Sequence, residues 1–522
     1  MARGKQKSVM MHDFGEVARV KAPRAKFNRS HGFKTTFDGG YLIPFLLDDI
    51  LPGDTVNCRA NIFARFATPL HPLMDNIKIE TFFFFVPMRL VWDNWQRFMG
   101  EQANPGDSID FTIPTSSSGS SVTTGTIGDY MGLPINVGAY SEVSILPFRS
   151  LALIWNEWFR DENLQQSIVI DTGDGPESIG SYVTPFKRGK RFDYFTSALP
   201  WPQKGSDPVS LPLGTSAPIA TLADGGDGVT VESVPEAEER RLFTPSPVPA
   251  VVTVDTVSTI GTAEPLYADL TAATAATIND LRLAFATQQF LEIDARGGTR
   301  YTEINFNHFG VTSSDARLQR PEYLGGGSTP LGIQPVANTS ADGTQPQGGL
   351  TGVGTTLVQG DGFVKSFEEH GYVIGLMSAR ADLTYQKGIE RHWSRQTRLD
   401  FAFPSFAFIG EQAVLSKEIY FDDSAADDDV FGYVGRYDEY RFKQSQITGL
   451  FRSDATSSLD AWHCSQDFAT RPVLNDTFIE EDPPFDRNIA VTTEPHFIAD
   501  GYLSYLHTRP LPVQGIPGLM RL

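Results

Sequence analysis

Cysteine is nearly absent from this chain of 522 residues: only Cys58 and Cys464 occur. Two thiols cannot build a disulfide framework, and neither has a second Cys or a His at metal-ligand spacing. Both read as ordinary small side chains, and nothing points to maturation in an oxidising compartment. Long apolar runs are missing too. The longest, residues 82–88, is too short to span a bilayer and contains Pro87. The N-terminus, MARGKQKSVMMHDFG, lacks the apolar stretch of a signal peptide. These absences predict a chain that is soluble or becomes part of something soluble. Catalytic signatures are absent as well: there is no HExxH, GxSxG, GxxxxGK[ST] or kinase-type loop. Gly352-Val353-Gly354 runs on into Thr355, Thr356 and Leu357 without the third glycine of a dinucleotide fingerprint. The residues alone support no enzyme.

What the chain does have is glycine (47), proline (34) and phenylalanine (37). Gly and Pro together make about 15% of the residues, which suits many short strands joined by elaborate loops. Phe favours pleated, half-buried surfaces. Charge is distributed unevenly. Residues 1–34 hold nine Lys/Arg against Asp13 and Glu16, a net of +7, so the remainder carries −27 of the total of −20. A basic arm of residues 1–35 on an acidic body suggests that the arm meets an anion while the body stays soluble, with a merely solvated terminus as the alternative.

Hydrophobic period assigns the elements. Residues 76–86 (NIKIETFFFFV) alternate and then turn wholly apolar, as in a strand covered on one face at its start and on both at its end. Leu151, Ile154, Trp155 and Trp158 recur at helical spacing in residues 147–161. A second helix is expected from Asp269, its face marked by Leu270, Ala273, Thr277, Leu281, Ala284, Phe285 and Leu291, ending at Gly297. Strands are expected at 371–385, 446–452 and 495–506. Residues 203–266, rich in Pro, Gly, Ala and Val, read as a surface insertion on a domain spanning 36–522. Residues 330–362 read as a second long loop. The pattern predicts a mainly β protein, a β-sandwich or jelly roll with long loop insertions and a few helices.

Three groups stand out as candidate sites. Residues 296–327 (RGGTRYTEINFNHFGVTSSDARLQRPEYLGGG) combine glycines, which permit hard turns or close backbone approach, with multi-donor arginines. Arg296, Arg300, Tyr301, Arg317, Arg320 and Tyr323 are the candidate subunit-interface residues. Arg391, Arg395 and Arg398 around Trp393 could contact phosphate and stack on bases, although ion pairing within the acidic body is the stronger reading. His392 lies among them with no partner acid at obvious spacing and reads as a packed histidine. The arm cations Arg3, Lys5, Lys7, Arg19, Lys21, Arg24 and Lys26 are candidates for nucleic acid or an internal partner. Asp427, Asp428 and Asp429, in the acidic turn at 422–429, could hold Ca²⁺, but the EF-hand spacing is not met and a solvated turn is the better reading. No other cofactor is expected.

The 296–327 segment closely resembles part of the major capsid protein of the Microviridae, in particular the gokushovirus group of small icosahedral single-stranded DNA phages. The resemblance extends through FKTTFDGGYLIPF and DDILPGDT, FFFVPMRLVWDNWQRFMGEQ, TSALPWPQKG and ATAATINDLRLAF. It continues in EHGYVIGLMSARADLTYQ, DDDVFGY, QSQITGLFRS and the terminal PVQGIPGL, covering most of the chain in order; residues 215–266 show none. It implies an eight-stranded jelly-roll β-barrel of viral capsid type and sixty copies in a T=1 shell around a circular ssDNA genome. It implies, too, a threefold protrusion built by the insertion and used on a host surface receptor. Further implied partners are a small basic DNA-binding protein, an internal scaffolding protein and a DNA pilot protein, with assembly in the cytoplasm of a bacterial host. Sixty arms would bring about 420 positive charges, several-fold fewer than the phosphates of a genome that encodes even this chain, so the arm tethers rather than condenses. A carbohydrate- or receptor-binding β-sandwich such as a phage spike is the alternative. It leaves the basic arm and the Arg-dense segments unexplained. A glycoside-processing β enzyme is more distant, needing a carboxylate pair that the sequence does not place.

Overall fold

Apolar side chains recur at every second residue of Thr55–Phe66, the period of a strand with one face covered. The computed structural model describes residues 23–117, 121–138, 140, 142–205, 278–340 and 347–514, with five short strand segments between 219 and 268. It turns Val56, Cys58, Ala60, Ile62, Ala64 and Phe66 inward and Arg59, Asn61, Phe63 and Arg65 outward. In chain order the strands are β1 (Ala25–Asn28), β2 (His31–Phe37), β3 (Ile43–Ile50), β4 (Thr55–Phe66) and β5 (Ile77–Pro87). Short strands follow: β6 (Ile219–Ala220), β7 (Thr230–Ser233), β8 (Glu238–Phe243), β9 (Thr253–Val254) and β10 (Tyr267–Ala268). Then come β11 (Glu322–Pro330), β12 (Gly332–Ala337), β13 (Leu350–Ser366), β14 (Gly371–Ala381), β15 (Glu411–Leu415), β16 (Val430–Gly435) and β17 (Phe497–Arg509).

Two antiparallel sheets carry the fold. The first runs β2–β17–β4–β13, extended by β1 on β17 and by β12 on β13; the second runs β3–β14–β5–β11. Along the eight principal strands the chain crosses between the sheets at every step except β5 to β11, and the last strand lies between β2 and β4, which is the expected jelly-roll order. The inner faces enclose the main core, where β4 meets Ile77, Ile79, Phe83 and Phe85 of β5 and Val373, Met377 and Ala379 of β14. Rings run across this core from sheet to sheet: Phe33 stacks on Phe45 (5.3 Å between centroids), Phe45 meets Phe83 edge-on (5.6 Å), and Phe83 tilts against Phe363 (5.4 Å).

The outer face of the second sheet is covered as well. Phe84, Val86, Ile374 and Leu376 pack under the helix Leu146–Ile154, which continues as a wider turn through Trp155–Phe159. The double covering explains why residues 82–86 lose their alternation. Arg149 on this helix is fully buried and pairs with Glu177 at 2.9 Å. Cys58 and Cys464 are both buried and unbridged.

Gly325, Gly326 and Gly327 lie within β11, not in a turn, and bring that strand against both neighbours. Gly325 has φ +153° and a Cβ there would stand 2.6 Å from the Gly362 carbonyl oxygen of β13. A Cβ on Gly326 would meet the Thr81 carbonyl oxygen of β5, and one on Gly327 the Asp361 carboxylate of β13. Asp361 also accepts a 2.7 Å hydrogen bond from Thr81 Oγ1, and Lys365 pairs with Glu322 at 2.6 Å. The open edge of the second sheet is thereby seamed to the first.

Several expectations need correction. Residues 330–362 are not a loop: β12 and most of β13 lie there. Their glycines sit where neighbours leave no room for a side chain, as Gly362 does beneath the Cys58 carbonyl and Gly354 against Phe66. Residues 446–452 form a 3-10 turn at Gly449–Phe451, not a strand. The basic arm of 1–35 is not free along its whole length, because β1 and most of β2 fall within it and are sheet strands paired with β17. Residues 1–22 lie outside the described residues.

Gln203–Arg296 forms a compact unit of its own, separate from that of Met1–Pro202 with Gly297–Leu522. It runs beyond the expected end of the insertion at 266 and includes β7–β8–β9, the β6–β10 pair and the helix Ile278–Arg296. That helix ends where Gly297 predicts, and residues 269–277 lie outside the described residues. Its expected apolar face is not buried: Leu281 and Phe285 are exposed, and so are Leu283 and Phe290 on the opposite side, leaving only Ala295 buried. Apolar residues on two sides of a helix leave no single stripe to pack.

Gly326→Ala is expected to lower stability by roughly 3 kcal/mol, because the added Cβ would meet the paired backbone of β5 at Thr81, which cannot yield without breaking the ladder; denaturant unfolding measures it. Glu80 on β5 gives a second expectation. Burial opposes its ionisation, but Arg188, Arg380 (3.7 Å) and Arg191 outweigh burial and hold it down at about 2, against an ordinary 4.5. A depressed carboxylate contributes stability that is complete above about pH 4.5 and lost as pH falls through about 2. Glu80→Gln should cost about 3 kcal/mol at pH 7 by taking the paired charge from the largely buried guanidinium of Arg188 and the second carboxylate from Arg380, which keeps Glu481, and should flatten the acid limb of a stability–pH curve.

Candidate functional site

Basic residues need free donors if they are to meet DNA, and the structure engages many of the candidates within the chain. Of the arm cations, Arg3, Lys5, Lys7, Arg19 and Lys21 lie outside the described residues. Arg24 donates to the Gly53 carbonyl and to Thr55 Oγ1 (3.3 Å), while Lys26 is exposed on β1. Arg29 bonds Asp48 at 2.6 Å and lies over the Tyr505 ring, and Lys34 pairs with Asp500 at 2.8 Å. Behind Arg29, buried His507 contacts Asp54 at 2.8 Å, and Arg509 reaches the same carboxylate at 3.0 Å. Burial lowers the His507 pKa, against the pull of Asp54.

Arg391 and Arg395 follow the ion-pairing reading. Arg391 donates to the Ala413 carbonyl at 2.8 Å and faces Glu418 at 3.3 Å; Arg395 faces Glu439 at 3.5 Å and lies 4.4 Å from the centre of the Tyr440 ring. Arg398 is exposed, its guanidinium over Phe403, and Trp393 is 75% exposed. His392 does have an acid partner, Glu390 at 3.0 Å, two residues back in the chain.

The expected interface group divides. Arg300 pairs with Glu162 and donates to the Arg160 carbonyl at 3.0 Å; Arg320 pairs with Asp315 at 2.8 Å and covers Trp158; Tyr323 packs on Phe84 and Trp158. These three knit the chain to itself. Tyr301 and Arg317 face outward, and Tyr301, Phe306 and Phe309 leave an exposed aromatic edge on the helix Tyr301–Phe309. Arg296 ends the helix of the other unit.

In the acidic turn, Arg471 binds Asp422 (2.6 Å) and Asp427 (2.7 Å), and Lys417 binds Asp428 (2.6 Å). Protein cations thus engage Asp427 and Asp428, two of the three residues proposed for Ca²⁺, and no group of three His, Cys, Asp or Glu among the described residues converges on a metal-sized site.

Two surfaces escape sequence reasoning. The outward face of the first sheet exposes Phe63, Leu357, Ile498 and Tyr502 beside Arg59 and Arg65. Alternation marks these residues as outward but does not show that they gather. The second is a cavity of about 450 Å³ on the outer face of the second sheet, among Phe82, Trp158, Arg188 and Arg191. Its walls come from distant segments. No helix among the described residues is long and apolar enough to cross a membrane.

Comparison with known proteins places these surfaces in context. The family model described as "Capsid protein (F protein)" matches residues 15–519. The chain is 46% identical to capsid protein VP1 of Bdellovibrio phage phiMH2K, over 97% of each chain. It is 42% identical to capsid protein VP1 of Chlamydia phage 1 over the whole of both, and 35% identical to that of Spiroplasma virus 4 over 98% of each. The chain therefore belongs to this family of Microviridae-type phage capsid proteins, and it is a structural protein of the virion, not an enzyme.

Proposed function

We propose that sixty copies of this chain assemble into a T=1 icosahedral shell around a circular ssDNA genome. What supports this reading is a jelly-roll body that matches phage capsid proteins from end to end while leaving aromatic surfaces uncovered on a single copy. Phe63, Ile498 and Tyr502 on the sheet face, and Tyr301, Phe306 and Phe309 on the helix edge, are the kind of side chains that subunit contacts bury. In this reading Tyr301 and Arg317 touch neighbouring copies, while Arg300, Arg320 and Tyr323 shape the surface from behind. The insertion at 203–266 forms the threefold protrusion and meets the host receptor, and assembly takes place in the bacterial cytoplasm with internal scaffolding and DNA pilot proteins.

The arm now has less charge to give. With β1 and β2 in the sheet, residues 1–22 hold five Lys/Arg and two acids, a net of +3. Sixty such segments meet a still smaller part of the genome's phosphates. A separate small basic protein, or cations, must supply the rest, and the arm's role is to tether.

Electron microscopy of purified particles with nuclease digestion of the same sample tests the reading. Uniform closed shells that protect ssDNA are expected; monomers or small rings with no protected nucleic acid, under assembling conditions, would overturn it in favour of a spike-like binding module. Deleting residues 2–22 leaves every described strand intact and should lower packaged DNA at equal shell yield. Unchanged packaging would remove the arm from the account.

A further inference from the structure

In this acidic protein the cavity on the outer face of the second sheet gathers Arg160, Arg188, Lys190, Arg191, Arg300 and Arg380. Its floor is built by the outward residues of β5 and β14, Phe82, Phe84 and Arg380. The end of the helical layer supplies Trp158, Phe159 and Arg160, and residues 188–192 supply Arg188, Lys190, Arg191 and Phe192. Arg300 and Tyr323 close the far side. Asp161 is the one carboxylate in the lining, and it is already bonded to the backbone N–H groups of Asn163 and Leu164. The acids that balance the arginines, Glu80 and Glu481, lie outside the lining; Glu80 takes one terminal nitrogen of Arg188 and one of Arg191, so a phosphate would be met by their remaining N–H groups.

The aromatic and cationic groups are arranged together. Arg188 lies 4.9 Å from the centre of the Phe82 ring and 5.8 Å from that of Phe159. Phe84, Trp158 and Tyr323 pack against one another with centroids 5.5 to 5.8 Å apart. Two buried guanidinium nitrogens, Nε of Arg160 and Nε of Arg380, have no hydrogen-bond partner. At the mouth Arg191 is half-exposed and the Phe192 ring is 78% exposed.

We infer that this cavity holds one nucleotide of single-stranded DNA, its base against the aromatic wall and its phosphate against the guanidinium groups of Arg191 and Arg188. Phe82, Phe159 and Phe192 carry no polar group and the Trp158 N–H is spent on the Pro321 carbonyl, so stacking here tolerates any base, and guanidinium groups donate to phosphate oxygens. The volume suits a single nucleotide and not a duplex. An acidic peptide would use the cations but leave the ring wall without a partner. This inference rests on the reading that the shell encloses ssDNA, and it names where the shell touches that DNA.

The test is ultraviolet crosslinking of intact particles, followed by mass-spectrometric mapping of deoxynucleotide adducts. Adducts are expected on the peptides containing Trp158 and Phe159, Phe192 or Tyr323. In particles of the mouth variant Arg191→Ser/Phe192→Ala, whose substituted side chains are exposed, the yield at these peptides should fall about tenfold, the scale of one lost stacking contact. Particles that protect ssDNA but carry adducts only elsewhere would overturn the cavity assignment while leaving the genome-enclosing reading in place. A crosslinked acidic peptide in the cavity would overturn it in the same way. Particles with no protected ssDNA would overturn that broader reading and the inference with it. If the variant fails to assemble, the map of the unaltered particle decides.

Discussion

The approach of β11 to β13 is the constraint on which the rest of the body depends. A jelly roll of two separate sheets has open edges, and an edge with unpaired backbone groups invites pairing with another chain. Here Gly325 and Gly327 let the edge strand of one sheet lie against β13 of the other, Gly326 lets it lie close on β5, and Asp361 ties the same point to Thr81. The ring relay from Phe33 to Phe363 then fills the space that this approach defines. A side chain on Gly326 would part β11 from β5, and the outer face of the sheet, where Glu80, Phe82 and Phe84 sit, would shift with it.

Charge is used in two ways in this body. Buried ion pairs fasten peripheral segments to the sheets: Arg29 and Arg509 meet Asp48 and Asp54 around His507, and Arg188 and Arg380 meet Glu80 and Glu481. Removing one partner of such a cluster leaves a charge that the interior cannot solvate, so each acts as a local latch more than as a net source of stability. The remaining surface acidity keeps a chain with many exposed aromatics dispersed until assembly. In this account the N-terminal strands belong to the latch system, and only what precedes them is left to reach for an anionic partner.

Elements with a clean period were legible in the sequence. The strand at β5 and the helix through Trp155 follow from spacing, and β14 and β17 from their recurring aromatic and β-branched residues. β12 and β13 were not legible: their Gly and Thr content looks like a loop until Phe66, Cys58 and Pro69 are seen to occupy the missing side-chain space. Strands β1 and β2 were hidden for another reason. Their partner is β17, at the other end of the chain, and no local window carries that pairing. The capsid class was legible because motifs along most of the chain agreed. The site residues were far less so: Arg300 and Arg320 have the composition of an interface yet are spent on partners within the chain, Tyr323 packs on Phe84 and Trp158 while one side stays exposed, and the cavity draws on β5, β14, the end of a helix and two loops.

Hydrogen exchange followed peptide by peptide tests most directly whether the glycine seam makes the two sheets one cooperative body. The account predicts that β11 shares the slowest exchange with β4, β5, β13 and β14, and that all lose protection together as denaturant rises. If β11 exchanges early and independently while the two sheets keep their protection, the seam does not hold the body together, and its role in placing the outer face falls with it.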